Sequence, residues 1–302
     1  MEDMITGLCP QCGHTLHIPA ELESFSCMYC GARLTKEQLA AEPPAAQEAD
    51  EDRAAYYDRA VSRLGWCIKN FGGYQKKIMR DVFFEAFETY ETGCAPVIQE
   101  LARGVVPEQQ TQLLGRAAAA MLDELEAGWK KKGDMEDEKI VLAIFFVPMV
   151  RKQQLPISEE FVTILQKQWV ERYPKSPFYL GDYESISGGF RKKFLGLCFI
   201  TTAVCQELGK PDDCEELTAF RAFRDGYLRS QPDGEALIRE YYNIAPGIVT
   251  CINTCSDRHA SYARIREEYL APCYQDLLAG RNESCKARYV RMVRDLEREY
   301  LS

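Results

Sequence analysis

CPQCGHTLHIPAELESFSCMYCG, residues 9–31, sets Cys9, Cys12, Cys27 and Cys30 in the pattern C-x2-C-x14-C-x2-C. Two residues between thiols let a tight turn aim both sulfurs at one ion, and a glycine after each pair, Gly13 or Gly31, relieves the strain of that turn. Thirty-odd residues build too small a core to fold alone, so metal binding is expected to supply the folding free energy. Four thiolates complete a tetrahedron and leave no open coordination position. The site is therefore read as structural or recognitional, with His14 and His17 on the surface beside it.

Residues 8–34 resemble the zinc-ribbon family, with Leu16 and Leu34 in the apolar positions that follow each knuckle. The resemblance implies short β-hairpins around one structural Zn2+ in residues 1–35. Iron in a rubredoxin-like site uses the same ligands, and spacing does not separate the two.

Outward from the ribbon, residues 36–53 join a Pro-Pro step to small residues and an acidic cluster, the composition of a flexible, solvated linker. The chain has 302 residues, a formal charge of −9 and 13 cysteines. Such a charge repels a phosphate backbone and argues against a global nucleic-acid binder. The amino terminus lacks a basic and apolar signal segment, and the longest apolar run, 140–150, is too short to span a bilayer. A cytoplasmic location without membrane contact is expected, with cysteines as thiols or metal ligands.

From residue 54 onward the apolar period is close to 3.6, which predicts a mainly α protein: a ribbon tethered to an all-helical body. Two helical domains are expected, 54–195 and 196–302. Predicted helices include 74–92, 94–103, 136–153, 158–172, 197–208, 213–229, 234–253, 258–279 and 282–300. Gly104, Gly133 and Gly280 are read as stops, and Pro148, Pro246 and Pro272 as kinks or divisions. Residues 173–196 break the period and read as an ordered loop and hinge.

In the carboxy-terminal part, CFITTA at 198–203, FRAFRD at 220–225 and the pair Tyr241–Tyr242 four residues before Pro246 resemble the CFI-box carboxy-terminal domain family of bacteria and archaea, over about 196–272. The resemblance implies a compact helical module and brings no activity with it. Thr201, Val204, Cys205 and Ala245 depart from the family pattern.

Read as residues, Cys198 falls in the first turn of its helix, where the dipole favours a thiolate. Cys205 lies seven positions on along one face. Arg221 and Asp225 are spaced as an i,i+4 ion pair, with Arg224 one turn from Arg221, so that one guanidinium can face elsewhere. The preferred reading makes these thiols buried filler between helices, because free cysteine is among the most buried residue types. The competing one is an activated Cys198 served by Arg221 or Arg224, with Cys205 as resolving thiol in an enzyme or redox sensor. Cys251, Cys255 and His259 repeat every four residues and could share a second metal with Cys198, Cys205 or Cys214. Cys67, Cys94, Cys273 and Cys285 read as packing. The sequence thus favours a non-catalytic adaptor or regulatory protein acting through protein–protein contacts with an unidentified partner.

Overall fold

A computed structural model describes residues 4–10, 15–28, 31–39, 50–191 and 198–301. Two compact units divide the chain, Met1–Asp52 and Arg53–Ser302. The chain is mainly α, and among the described residues every strand lies in the first unit.

That first unit holds two antiparallel hairpins. Strand β1 (Met4–Leu8) pairs with β2 (Thr15–Pro19), and β3 (Ser24–Ser26) with β4 (Arg33–Thr35). The register sets Ile5 opposite Ile18 and Phe25 opposite Leu34. Among the described residues its buried side chains are Cys9, Leu16, Ile18, Cys27 and Leu34. Of the expected linker, Lys36–Gln38 form a single 3-10 turn and residues 40–49 lie outside the described residues. Helix α1 (Asp50–Leu64) starts within the stretch read as linker.

The second unit continues through α2 (Trp66–Lys69), α3 (Phe83–Gly104), α4 (Gln110–Gly128), α5 (Lys132–Val141), α6 (Val147–Lys152), α7 (Ser158–Arg172) and α8 (Tyr183–Arg191). It closes with α9 (Phe199–Glu207), α10 (Glu215–Ala222), α11 (Gly234–Cys255), α12 (Arg258–Ile265), α13 (Ala271–Leu278) and α14 (Asn282–Tyr300). Helix α11 is central and touches α8, α9, α12 and α14. One apolar core runs from Ala60 to Leu301, so the division expected at residues 195 and 196 does not divide the core.

Two of the irregularities share a local cause. Pro148 and Pro272 fall in the first turns of α6 and α13, each directly after a π-helical segment, Leu142–Phe146 and Arg266–Leu270. Proline offers no N–H and crowds the carbonyl four residues back, and a widened turn accommodates both effects. Pro246 sits inside α11 without breaking it, and Pro96 likewise lies within α3, which joins the separate helices expected at 74–92 and 94–103. Gly133 lies in the first turn of α5 and stops nothing, since the preceding helix already ends at Gly128.

Of the stretch 173–196 read as loop, Tyr183–Arg191 form α8 and residues 192–196 lie outside the described residues. Asp182 accepts the Ser185 N–H at 2.7 Å, which opens α8. Ile186 and Phe190, one turn apart, are buried, with Phe190 stacked on Phe83 at 4.3 Å. That burial outweighs the cost of Gly188 and Gly189, roughly 1 kcal/mol each in a helix interior. The loop before α8 is tied to the helices around it: Tyr179 N–H donates to the Thr254 carbonyl at 2.6 Å, Trp169 Nε1 to Ser176 O at 2.7 Å, and Gln166 Nε2 to Phe178 O at 2.9 Å.

Candidate functional site

In the first unit Cys9 follows β1 and Cys27 follows β3, each at the turn of its hairpin, and they are 1% and 2% exposed. The Gly31 N–H donates to the Cys27 carbonyl at 2.8 Å, and the Cys27 N–H donates to Ala32 O at 2.8 Å. Gly31 has φ +75°, a left-handed conformation that glycine adopts without a Cβ penalty, which accounts for a glycine at the end of the CMYC turn. Cys12, Cys30 and His14 lie outside the described residues, and His17 is exposed on β2.

In the second unit the three separated carboxy-terminal motifs meet. Cys198 is the N-cap of α9 and 5% exposed. Arg224 Nη1 donates to the Cys198 sulfur at 3.5 Å and to the Tyr242 hydroxyl at 3.0 Å. The neighbouring Tyr241 hydroxyl accepts the Ile200 N–H at 3.0 Å, filling one of the donor positions that a helix start leaves open. Thr201 and Tyr289 share a hydroxyl–hydroxyl bond of 3.2 Å. The cluster borders an apolar cavity of about 60 Å³ lined by Phe220, Phe223, Leu237 and Val293.

The ion pair differs from the expected one. Arg224, not Arg221, holds Asp225, in a two-pronged bond of 2.8 and 2.6 Å. Arg221 turns away to the carbonyl and carboxylate of Asp212 at 2.7 and 2.8 Å. The cause is a π-helical segment over Phe223–Tyr227, which breaks the i,i+4 register assumed for Arg221 and Asp225. Asp225 is held below the ordinary carboxylate range chiefly by its bond to Arg224. The guanidinium charge beside Cys198 is thus already balanced. Burial is the main influence on the Cys198 thiol and raises its pKa; Arg224, then Arg221, oppose it without winning.

Cys205 is not a partner for Cys198. Seven residues of helix separate them by roughly 10 Å of rise, beyond the ~7 Å between α-carbons that a disulfide tolerates. The Cys205 sulfur instead lies 3.9 Å from that of Cys214, which caps α10. Nor does the Cys251, Cys255 and His259 stripe persist. Helix α11 ends at Cys255, and the His259 side chain, 81% exposed, bonds Glu207 at 3.0 Å. Cys251 is fully buried, with its sulfur 3.6 Å from the Tyr300 carbonyl, and burial pushes the Cys255 thiol up to about 12. Among the described residues no three His, Cys, Asp or Glu side chains converge on a common ion position. Cys67, Cys94, Cys273 and Cys285 are all fully buried.

One outcome follows for Cys198. Native alkylation at pH 7 should be slow and should accelerate only above the ordinary thiol range, about 8.5. The unfolded chain loses this proton first as pH rises. The Cys198 contribution to stability is therefore present at neutral pH and lost as pH climbs through the raised folded value. Labelling of intact and denatured protein across pH 6–10 checks it, and rapid native labelling near pH 6.5 contradicts it.

No family model, curated protein or solved structure matches the chain. No described helix is long and apolar enough to cross a membrane.

Proposed function

We propose that this chain is a non-catalytic adaptor or regulatory protein that presents a zinc ribbon to a protein partner and uses its helical unit as a scaffold. The observation that carries the reading is the pair of hairpins whose turns bear the cysteines, with Cys9 and Cys27 buried in a core of only five described side chains. Such a core fits a unit organised by metal–thiolate bonds. Cys12 and Cys30 complete the ligand set by sequence, and one tetrahedral Zn2+ is the proposed cofactor. Met28, within the second knuckle, is 82% exposed, and a large apolar side chain on a metal-stiffened turn suits partner contact.

The resemblance of the carboxy-terminal motifs to the CFI-box family adds to the scaffold reading. Cys198, Arg224, Tyr241 and Tyr242 tie the start of α9 to the turn after α10 and to α11. Their sequence specificity then reflects a packing and hydrogen-bond requirement. A thiol enzyme or sensor at Cys198 has one feature in its favour, the guanidinium 3.5 Å from its sulfur. Burial of the thiol and the Asp225 counter-charge weigh against it.

Elemental analysis of protein purified from the native host should return one zinc per chain and no iron. Affinity purification with the intact chain should recover a stoichiometric partner that Met28→Asp and Cys27→Ser each remove while the helical circular dichroism persists. A partner retained equally by both variants, or iron in place of zinc, refutes the corresponding half of the proposal.

A further inference from the structure

Cys205 and Cys214 stand out among the thiols of the helical unit. Their sulfurs are 3.9 Å apart across the tight connection between α9 and α10. Lys210 N–H bonds the Cys205 carbonyl at 2.9 Å, and Gly209 takes φ +67°, so this turn returns the chain to place one thiol over the other. Cys214, at the head of α10, is partly exposed, whereas Cys205 is 2% exposed. Glu216 Oε2 accepts from the Cys205 thiol at 3.9 Å and is itself held by Lys210 Nζ at 2.6 Å. The two other close thiol pairs, Cys67 with Cys94 and Cys273 with Cys285, have no exposed member.

We propose that Cys205 and Cys214 form a reversible disulfide by exchange with a low-molecular-weight disulfide such as oxidised glutathione. The Cys214 thiolate attacks one sulfur of the small disulfide. The S–S bond breaks, a first small thiol leaves with a proton from solvent, and Cys214 carries the mixed disulfide. Cys205 then passes its proton to Glu216 and attacks the Cys214 sulfur, and a second small thiol departs with that proton. Two protein thiols are oxidised and one small disulfide is reduced to two thiols.

The order of attack follows from access. Cys214 is accessible to a small disulfide, whereas buried Cys205 reaches only its neighbour's sulfur 3.9 Å away; burial, then Cys214 and Glu216, push the Cys205 thiol up to about 12, so closure is the slower step. Lys210 opposes that rise, and Glu216 is the carboxylate within reach of the Cys205 thiol to take its proton at closure. The link would join the end of α9 to the head of α10, the helices whose opposite ends carry Cys198 and, one π turn on, Arg224.

The full zinc-loaded chain is equilibrated with mixtures of reduced and oxidised glutathione, quenched with acid, denatured, alkylated and analysed by fragment mass spectrometry. Expected is a Cys205–Cys214 link that lowers alkylation of both at least about tenfold under oxidising mixtures and is reversed by dithiothreitol. Cys67, Cys94, Cys198, Cys273 and Cys285 keep their thiols throughout. Cys214→Ser should leave Cys205 reduced, and Cys205→Ser should leave glutathione on Cys214. Because Cys214 is partly exposed, its serine variant keeps the test valid should the Cys205 variant fold poorly. Full alkylation of both residues under oxidising mixtures overturns the proposal, as does a mixed disulfide that never closes or oxidation of Cys205 in the Cys214→Ser chain.

Discussion

On the proposed zinc assignment, replacing Cys27 with serine is expected to abolish metal binding and unfold the hairpins of the first unit, while the helical signal of Arg53–Ser302 stays within error of the parent. Structural zinc in a small all-thiolate unit contributes roughly 10–16 kcal/mol of folding free energy at neutral pH. The described buried side chains of this unit are five in number, two of them the cysteines themselves. Leu16, Ile18 and Leu34 bury about 2–3 kcal/mol apiece at most, far less than the entropy of ordering so many residues. Removing a thiolate from Cys27, 2% exposed behind β3, therefore takes away the main term. Zinc release measured with a chromogenic chelator and limited proteolysis of the full chain are the readouts. A Cys27→Ser chain that holds no metal yet keeps residues 15–39 protease-resistant contradicts the assignment. On the same assignment, a chelator applied to the parent chain should reproduce the variant, since both would remove metal–thiolate bonds.

The helical architecture was legible where periodicity and boundary chemistry agreed. Ser158 followed by Glu159 and Glu160 marks the start of α7, which runs over Ser158–Arg172 as the pattern predicts, and Asn282–Tyr300 is equally clear. Legibility failed where tertiary contact overrode local signals. Glycines 188 and 189 argue against a helix that Ile186 and Phe190 stabilise through packing on a distant part of the chain. The division expected within α3 fails for a similar reason: Gly93 sits where an added Cβ would lie 3.3 Å from the Phe71 ring, so the glycine serves a close approach and not a stop.

The carboxy-terminal cluster shows a different limit. That Cys198 and the FRAFRD arginines belong together was readable from motif chemistry, but which arginine was not. A one-residue change of register in the π-helical turn at Phe223–Tyr227 exchanges the roles of Arg221 and Arg224, and no spacing rule for α-helices contains it. The partner of Cys205 was hidden in the same way. A reverse turn at Gly209, with the helix cap at Cys214, is what brings the two sulfurs together.

Substituting Gly247 with alanine should destabilise the helical unit by about 3 kcal/mol or more, although the same change inside an unobstructed helix gains up to about 1 kcal/mol. Gly247 lies inside α11, next to Pro246, where the chain preceding α3 crosses the helix. A Cβ at this position would stand 1.9 Å from the Ile78 carbonyl oxygen and 3.1 Å from its carbon. The obstacle is backbone, so no side-chain rotation relieves it. Retreat of that strand of chain is opposed as well: Arg80 N–H bonds the Asn243 carbonyl at 3.1 Å, Asp81 N–H bonds the Asn243 side-chain oxygen at 3.1 Å, and Ile78 is fully buried. A loss of that size lowers the melting midpoint by roughly 6–12 °C for a unit of this length. Gly188→Ala supplies the opposing control, because nothing lies within 4 Å of a Cβ added there in α8, and its midpoint should stay level or rise. Thermal unfolding followed at 222 nm distinguishes the two. Equal midpoints for Gly247→Ala and Gly188→Ala would mean that α11 and the Ile78 segment do not approach as closely as this fold requires, and the central placement of α11 would fall with them.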